Sequence, residues 1–230
     1  MEALAEVAED QWGLFTRRQA ESTGMAWTTL ARLAKDNAAE RVAHGVYRLR
    51  GTPPSDHLAL RAAWLQLAPD TPVWERTAHQ GVVSHRSAAA VYGLGHLPAD
   101  LHHFILPVRR QSRRADVHLH RAHLDDGEWI NVGGLLVTRP ARIAADLLAD
   151  LEDPEAVAQI IADALRAVHD YPGTVAGSIA PYAVKFGLHR DDGLALLEWL
   201  LDLTNDPERD AWLTEARASN ARDHHREGGP

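Results

Sequence analysis

Three segments close to the N-terminus decide the fold: Gly13-Leu14-Phe15-Thr16-Arg17-Arg18-Gln19-Ala20, then Ala26-Trp27-Thr28-Thr29-Leu30-Ala31-Arg32-Leu33-Ala34-Lys35-Asp36, then Glu40-Arg41-Val42-Ala43-His44-Gly45-Val46-Tyr47-Arg48-Leu49. In the first, Thr16 followed three residues later by Gln19 fits a capping box, which predicts a helix running to about Glu21. Ser22-Thr23-Gly24 reads as a tight turn. In the second, Trp27, Leu30 and Ala34 recur at helical spacing and are expected to face inward beside Leu33, while Thr28, Arg32 and Lys35 lie on the other side next to Thr29. In the third, two short alternating runs flank His44-Gly45 and predict a β-hairpin. A two-residue turn sets Arg41 opposite Arg48, which is unfavourable unless an anion lies between them. A three-residue loop sets Glu40 opposite Arg48 instead, and the sequence leaves both registers open. Upstream, Leu4, Val7 and Ala8 mark one face of a short helix over residues 2–11.

Helix, helix–turn–helix and hairpin, in that order, make a winged helix-turn-helix. A helix that exposes hydroxyls, a guanidinium and an ammonium suits a DNA groove, where threonine meets base edges or phosphates and arginine reaches guanine. The candidate DNA-binding residues are therefore Thr16, Arg17, Arg18, Thr28, Thr29, Arg32, Lys35, Arg41, His44, Tyr47 and Arg48. Removing the charges of Arg32 and Arg48 together is expected to abolish DNA binding. The same pattern also fits a solvated helix face, or a trihelical protein-interaction module with a degenerate wing.

The chain has 230 residues, 45% hydrophobic and 24% charged, as in a soluble globular protein. It has no cysteine, which excludes disulfides, thiol catalysis and cysteine-ligated zinc. No apolar run is long enough for a membrane span. The acidic start Met1-Glu2-Ala3-Leu4-Ala5-Glu6 lacks a basic n-region, so a cytoplasmic address is expected. The net charge of −8 argues at first sight against a polyanion partner. Its distribution reverses that inference locally: residues 12–51 carry seven bases against three acids, and residues 146–230 carry seven bases against seventeen acids. A basic N-terminal segment on an acidic body suggests one polyanion-binding end and another role elsewhere.

Gly51-Thr52-Pro53-Pro54-Ser55 reads as a linker, with Ser55 capping a helix that runs to about Leu67. Residues 82–94 read as a short strand, a serine cap and a helix ended by Gly93. Four strand candidates follow, over 103–106, 117–120, 128–132 and 135–138, the last two joined by Gly133-Gly134. After Pro140 the chain turns helical, near 139–149, 154–169, 175–186, 191–203 and 207–218. The expected class is α+β: an N-terminal winged helix-turn-helix over 1–51, then a mixed α/β domain over 55–217 with a helical C-terminal region, and a disordered tail over 218–230.

Gly13–Ala20 and Glu40–Leu49 resemble the N-terminal domain of AbiEi-type antitoxins. Val83-Ser84-His85-Arg86-Ser87-Ala88-Ala89 and Val137-Thr138-Arg139-Pro140-Ala141-Arg142-Ile143-Ala144-Ala145-Asp146-Leu147 resemble the body of the same family, so the resemblance spans roughly residues 5–170. It implies the antitoxin of a type IV toxin–antitoxin pair, without enzymatic activity. Such a protein represses its own promoter by binding double-stranded DNA repeats, and it counters a nucleotidyltransferase toxin. Carried onto this chain, the DNA-reading helix is Ala26–Asp36 and the wing is Arg41–Arg48. Some relatives with this N-terminus carry a nuclease, which needs Asp/Glu-x-Lys to activate metal-bound water. Lys35 and Lys185 are the only lysines, and Ala183 stands two residues before Lys185, so that motif is absent. A nucleotidyltransferase needs Gly-Ser followed by alternating acids; Gly177-Ser178 is followed by the adjacent pair Asp191-Asp192, which cannot share a strand face.

Eight of the 14 histidines lie between His79 and His123. His118 and His120 share a strand face and, with His123 or His103, make the case for a metal-dependent nucleic-acid-processing enzyme. The pattern lacks diagnostic ligand spacing, so neither a metal nor another cofactor is expected. Arg109-Arg110-Gln111-Ser112-Arg113-Arg114 is a basic run between two strands. It reads either as a solvated loop or as a second basic surface formed by Arg109, Arg110, Arg113 and Arg114. No Walker loop is present, and Ser84-His85 adjacency alone makes no triad.

Overall fold

The protein is described by a computed structural model that covers residues 2–227, with side chains through residue 221. The chain divides into two compact units. The first runs through Val83 and takes in Phe104–Leu124 and Asn131–Leu136; the second holds Ser84–His103, Asp125–Ile130 and the chain from Val137 onward.

The first unit starts with α1 (Glu2–Glu9), β1 (Leu14–Thr16), α2 (Arg17–Ser22), α3 (Trp27–Lys35), β2 (Ala39–Ala43) and β3 (Val46–Leu49). The three strands form a small sheet in the order β1-β3-β2. Leu4, Ala8, Phe15, Ala20, Leu30, Ala39 and Tyr47 are its buried core, with Met25, Leu33 and Leu49 packed against them. The Phe15 ring stacks on Tyr47 with centroids 5.7 Å apart. The capping box forms as the sequence predicts: Thr16 Oγ1 accepts from the Gln19 amide, and the Gln19 side chain accepts from the Thr16 amide. β1 has only three residues, all buried, which is too short for alternation to announce it.

The hairpin combines features of both predicted registers. His44-Gly45 is the turn, with Ala43 opposite Val46, but a bulge between Arg41 and Ala43 shifts the pairing so that Glu40 faces Arg48. Arg41 then faces Tyr47, and the like-charge opposition does not arise. Gly45 has φ +70°, which suits a residue without a Cβ.

The winged segment is tied to the chain that follows it. Thr16 Oγ1 donates to the Pro69 carbonyl. The side-chain oxygen of Gln11 accepts from the Val73 amide. Trp12 Nε1 donates to the Gly133 carbonyl at 2.8 Å, and the Arg61 guanidinium lies over the Trp12 ring at 4.1 Å. The next helix, α4 (Leu58–Leu67), starts after His57 at a left-handed φ of 54° and has no side-chain cap. The expected Ser55 cap is not formed: Ser55 Oγ lies against the Asp56 carbonyl instead. β4 (Val82–Val83) follows, and β5 (His102–Leu106), β6 (Val117–Arg121), β7 (Trp129–Val132) and β8 (Leu135–Thr138) complete a five-stranded sheet in the order β6-β5-β4-β8-β7.

The second unit is mainly helical. It contains α5 (His85–Tyr92), α6 (Pro140–Ala149), α7 (Pro154–Arg166), α8 (Pro172–Ile179), α9 (Gly193–Asp202) and α10 (Arg209–Glu227). Proline stands at the first turn of α6, α7 and α8, where its missing N–H costs nothing. The helix expected over 175–186 starts earlier, at Pro172, and passes into a 3-10 segment over Ala180–Phe186, where Pro181 interrupts α-helical bonding. α10 runs to Glu227, through most of the stretch expected to be a disordered tail; residues 228–230 lie outside the described residues.

Candidate nucleic-acid interface

α3 offers the face that its sequence spacing suggests. Thr28, Arg32 and Lys35 are exposed, Thr29 is half-buried beside them, and Leu30 is buried on the opposite side. Arg32 and Lys35 carry no ion pair or hydrogen bond from their side chains among the described residues. Trp27 departs from the expected inward stripe: it is 47% exposed. The Arg17 guanidinium lies 4.5 Å from its ring centroid and is also paired with Glu21 at 2.7 Å. Trp27 sits in the first turn, where helical spacing alone cannot tell a core position from a surface one.

At the wing, Arg41 and His44 are exposed and bonded to each other, guanidinium to Nδ1, at 3.0 Å. The Arg17 amide donates to the Gly45 carbonyl at 2.8 Å, which fixes the start of α2 against the wing turn. Arg18 is exposed and paired with Asp70 at 3.1 Å. Arg17, Arg18, His44 and Gln66 border a groove of about 500 Å³.

Three of the candidate residues serve the inside of the protein. Thr16 is fully buried, its hydroxyl engaged with Gln19 and Pro69. Tyr47 is buried in the stack on Phe15. Arg48 is half-buried and bonds Thr52 Oγ1, the Thr52 carbonyl at 2.7 Å and the Pro53 carbonyl at 3.1 Å. It braces the segment after the hairpin, so removing Arg32 and Arg48 together would confound folding with binding. Gln66 is a neighbour of the wing that the sequence does not reveal: its side-chain nitrogen donates to the His44 carbonyl at 2.7 Å. Nothing local in the sequence of α4 marks it for that contact.

The basic run lies between β5 and β6. Arg109, Arg110 and Arg113 are exposed, and Arg114 is half-buried and paired with Asp116. On β6, His118 stacks on His120 with centroids 4.4 Å apart. Burial, with His118 adding repulsion, pulls His120 down to about 4, so it stays neutral through physiological pH.

In the second unit, His85 is buried with φ +52° and its Nδ1 lies 2.9 Å from Ser84 Oγ. The buried carboxyl of Asp146 is pushed up to about 6 by desolvation, against the opposing pull of Arg142, whose Nε donates to it at 2.8 Å.

Residues 2–50 match the family model described as a transcriptional regulator, AbiEi antitoxin. The matched stretch coincides with α1 through β3, and the body segments 83–89 and 137–147 lie outside it. Over most of its length the chain is similar in fold to the crystal structure of the RV2827C protein from Mycobacterium tuberculosis. The TM-score is 0.51 at 16% identity, covering 92% of this chain and 79% of that one. No curated protein matches the chain. No helix of the described residues is long and apolar enough to cross a membrane.

Proposed function

We propose that this protein is a DNA-binding transcriptional autorepressor and the antitoxin of a type IV toxin–antitoxin pair, countering a nucleotidyltransferase toxin. The observation that carries the DNA-binding part is the coincidence of a regulator-family match over 2–50 with a helix whose outer face presents Thr28, Arg32 and Lys35, the two cations having no acidic partner among the described residues. In this reading α3 enters the major groove of double-stranded DNA, and Arg41 and His44 of the wing meet the adjacent backbone. Arg17 and Arg18 stand beside the wing turn and supply further phosphate contacts. Thr16, Tyr47 and Arg48 hold the wing in shape. The chain acts by binding, with no catalytic step of its own, and works in the cytoplasm. The toxin-directed role rests on the antitoxin family match and on the acidic character of residues 146–230, a surface suited to a basic protein partner.

The test is a gel-shift assay with the DNA immediately upstream of the protein's own gene, against an unrelated duplex of equal length. Preferential retention of the upstream DNA, weakening steeply with added salt as counterions are released, is the expected result. Equal retention of both duplexes contradicts autorepression, and retention of neither contradicts the DNA-binding reading. The antitoxin half predicts a growth-arresting nucleotidyltransferase encoded beside this gene: co-expression restores growth if the reading is right, and arrest that persists, or the lack of such a neighbour, contradicts it.

A further inference from the structure

We propose that Gln66 is a positioning residue for DNA binding: its side chain, itself oriented by Arg114 and Asp116, holds the wing turn at His44 in the place from which Arg41 and His44 meet the DNA backbone. This role rests on the DNA-binding reading above and adds to it a residue outside the family match over 2–50.

The turn is held at three successive carbonyls. Arg41 Nε donates to that of Ala43 at 3.4 Å, Gln66 Nε2 to that of His44 at 2.7 Å, and the Arg17 amide to that of Gly45 at 2.8 Å. The first and third donors belong to the winged segment itself. The second comes from the last turn of α4 and makes the shortest bond of the three. The ring of the same His44 bonds the Arg41 guanidinium at 3.0 Å. The residue that Gln66 holds is therefore the one that sets the cation of the wing.

Gln66 is aimed from a fixed base. The buried Arg76 guanidinium donates to the carbonyls of Leu65 and Ala68, at 2.8 and 2.6 Å, and so immobilises the end of α4. Asp116 takes the Nε–Nη2 edge of Arg114 in a two-bond pair and leaves Nη1 for the Gln66 side-chain oxygen. An arginine can only donate and a carbonyl can only accept, so one orientation of the Gln66 amide serves both neighbours. Glutamate at this position could not donate to His44, and lysine could not accept from Arg114. A turn set in place before binding loses less freedom when it meets DNA, which strengthens binding without adding a phosphate contact.

The experiment compares the full-length protein with its Gln66→Met variant, which keeps the length and helix propensity of the side chain and removes both hydrogen bonds. Affinity for the duplex upstream of the protein's own gene is read by fluorescence anisotropy across a salt series. The variant is expected to bind about fivefold more weakly, with the slope of log affinity against log salt unchanged because no phosphate contact is lost. The same substitution should have no effect on a protein that already carries Arg41→Ala and His44→Ala, and its full effect beside Lys35→Ala, because it acts through the wing and not through α3. Gln66→Asn, an amide one methylene too short to span both partners, should repeat the pattern and provides a second variant. Hydrogen exchange of the DNA-free protein should quicken over residues 43–46 and stay the same over α3. Unchanged affinity or unchanged exchange at the turn overturns the proposal. So does an equal loss in both backgrounds, which is what a general loss of stability would give. Failure of the unmodified protein to bind the duplex is a different result: it removes the DNA-binding reading, while the exchange measurement still decides whether Gln66 holds the wing.

Discussion

The arginines of the two units serve different ends. In the second unit Arg139 pairs with the buried Asp170, Arg142 with Glu128 and Asp146, Arg166 with Asp163 and Asp206, and Arg209 with Glu198, Asp202 and Asp210. In the first unit Arg32, Lys35, Arg109 and Arg113 are exposed with no carboxylate partner among the described residues, while Arg61, Arg76 and Arg110 donate to backbone carbonyls. Arginine thus pairs with carboxylates throughout the acidic unit, while in the basic one several basic side chains stay available beside the pairs Arg17–Glu21, Arg18–Asp70 and Arg114–Asp116. The acidic net charge of the whole chain reports the first use and conceals the second.

Substitutions in the two units should therefore separate stability from binding. The largest stability effect is expected at Asp170, whose fully buried carboxylate accepts from the Ala141 amide in the first turn of α6 and from Arg139. The same carboxylate accepts from the Tyr171 amide at 3.1 Å, so Asp170→Ala orphans three donors and should cost about 4 kcal/mol in chemical denaturation. Protein that remains folded should bind DNA unchanged; a binding loss in proportion to a small stability loss would erase the distinction.

Next is Asp146. Burial raises its carboxyl to about 6, so the folded state binds its proton more tightly than the unfolded chain does. The stabilisation from that proton is present below the ordinary aspartate range and is lost as pH rises from about 4 to about 6. Asp146→Asn cannot ionise but can still accept from Arg142. Measured by denaturation across that window, the unmodified protein should lose about 3 kcal/mol relative to the variant. Parallel curves for the two would show that Arg142 fully compensates the buried charge.

The smallest stability effect is expected on α3. Lys35→Ala should shift stability by no more than about 0.5 kcal/mol, while the slope of log affinity against log salt falls by about one. A melting temperature that drops with the slope unchanged would move Lys35 from the binding side of the comparison to the structural side.

The small elements of the winged segment were legible because local chemistry dictates them. The Thr16–Gln19 box, the Gly24 turn and the His44-Gly45 hairpin each depend on residues within a few positions of one another. The strands around Gly133-Gly134 and the helix stop at Gly93 were legible for the same reason. What escaped depended on distant partners. Alternation cannot distinguish a wing tyrosine aimed at DNA from one stacked on Phe15, and Tyr47 is the latter. Arg48 looks like a phosphate ligand until the carbonyls of Thr52 and Pro53 are seen around it. The tether through Gln66 spans 22 positions to His44 and 48 to Arg114, distances over which sequence periodicity carries no information.

Whether the outer face of α3 meets DNA is decided most directly by the affinity of the Arg32→Ala/Lys35→Ala variant for the upstream duplex, read by anisotropy beside a melting curve. Both side chains are exposed and without a hydrogen-bond or ion-pair partner among the described residues, so an unchanged melting temperature and affinity lower by about a hundredfold are expected. Unaltered affinity in a fully folded variant would contradict that contact.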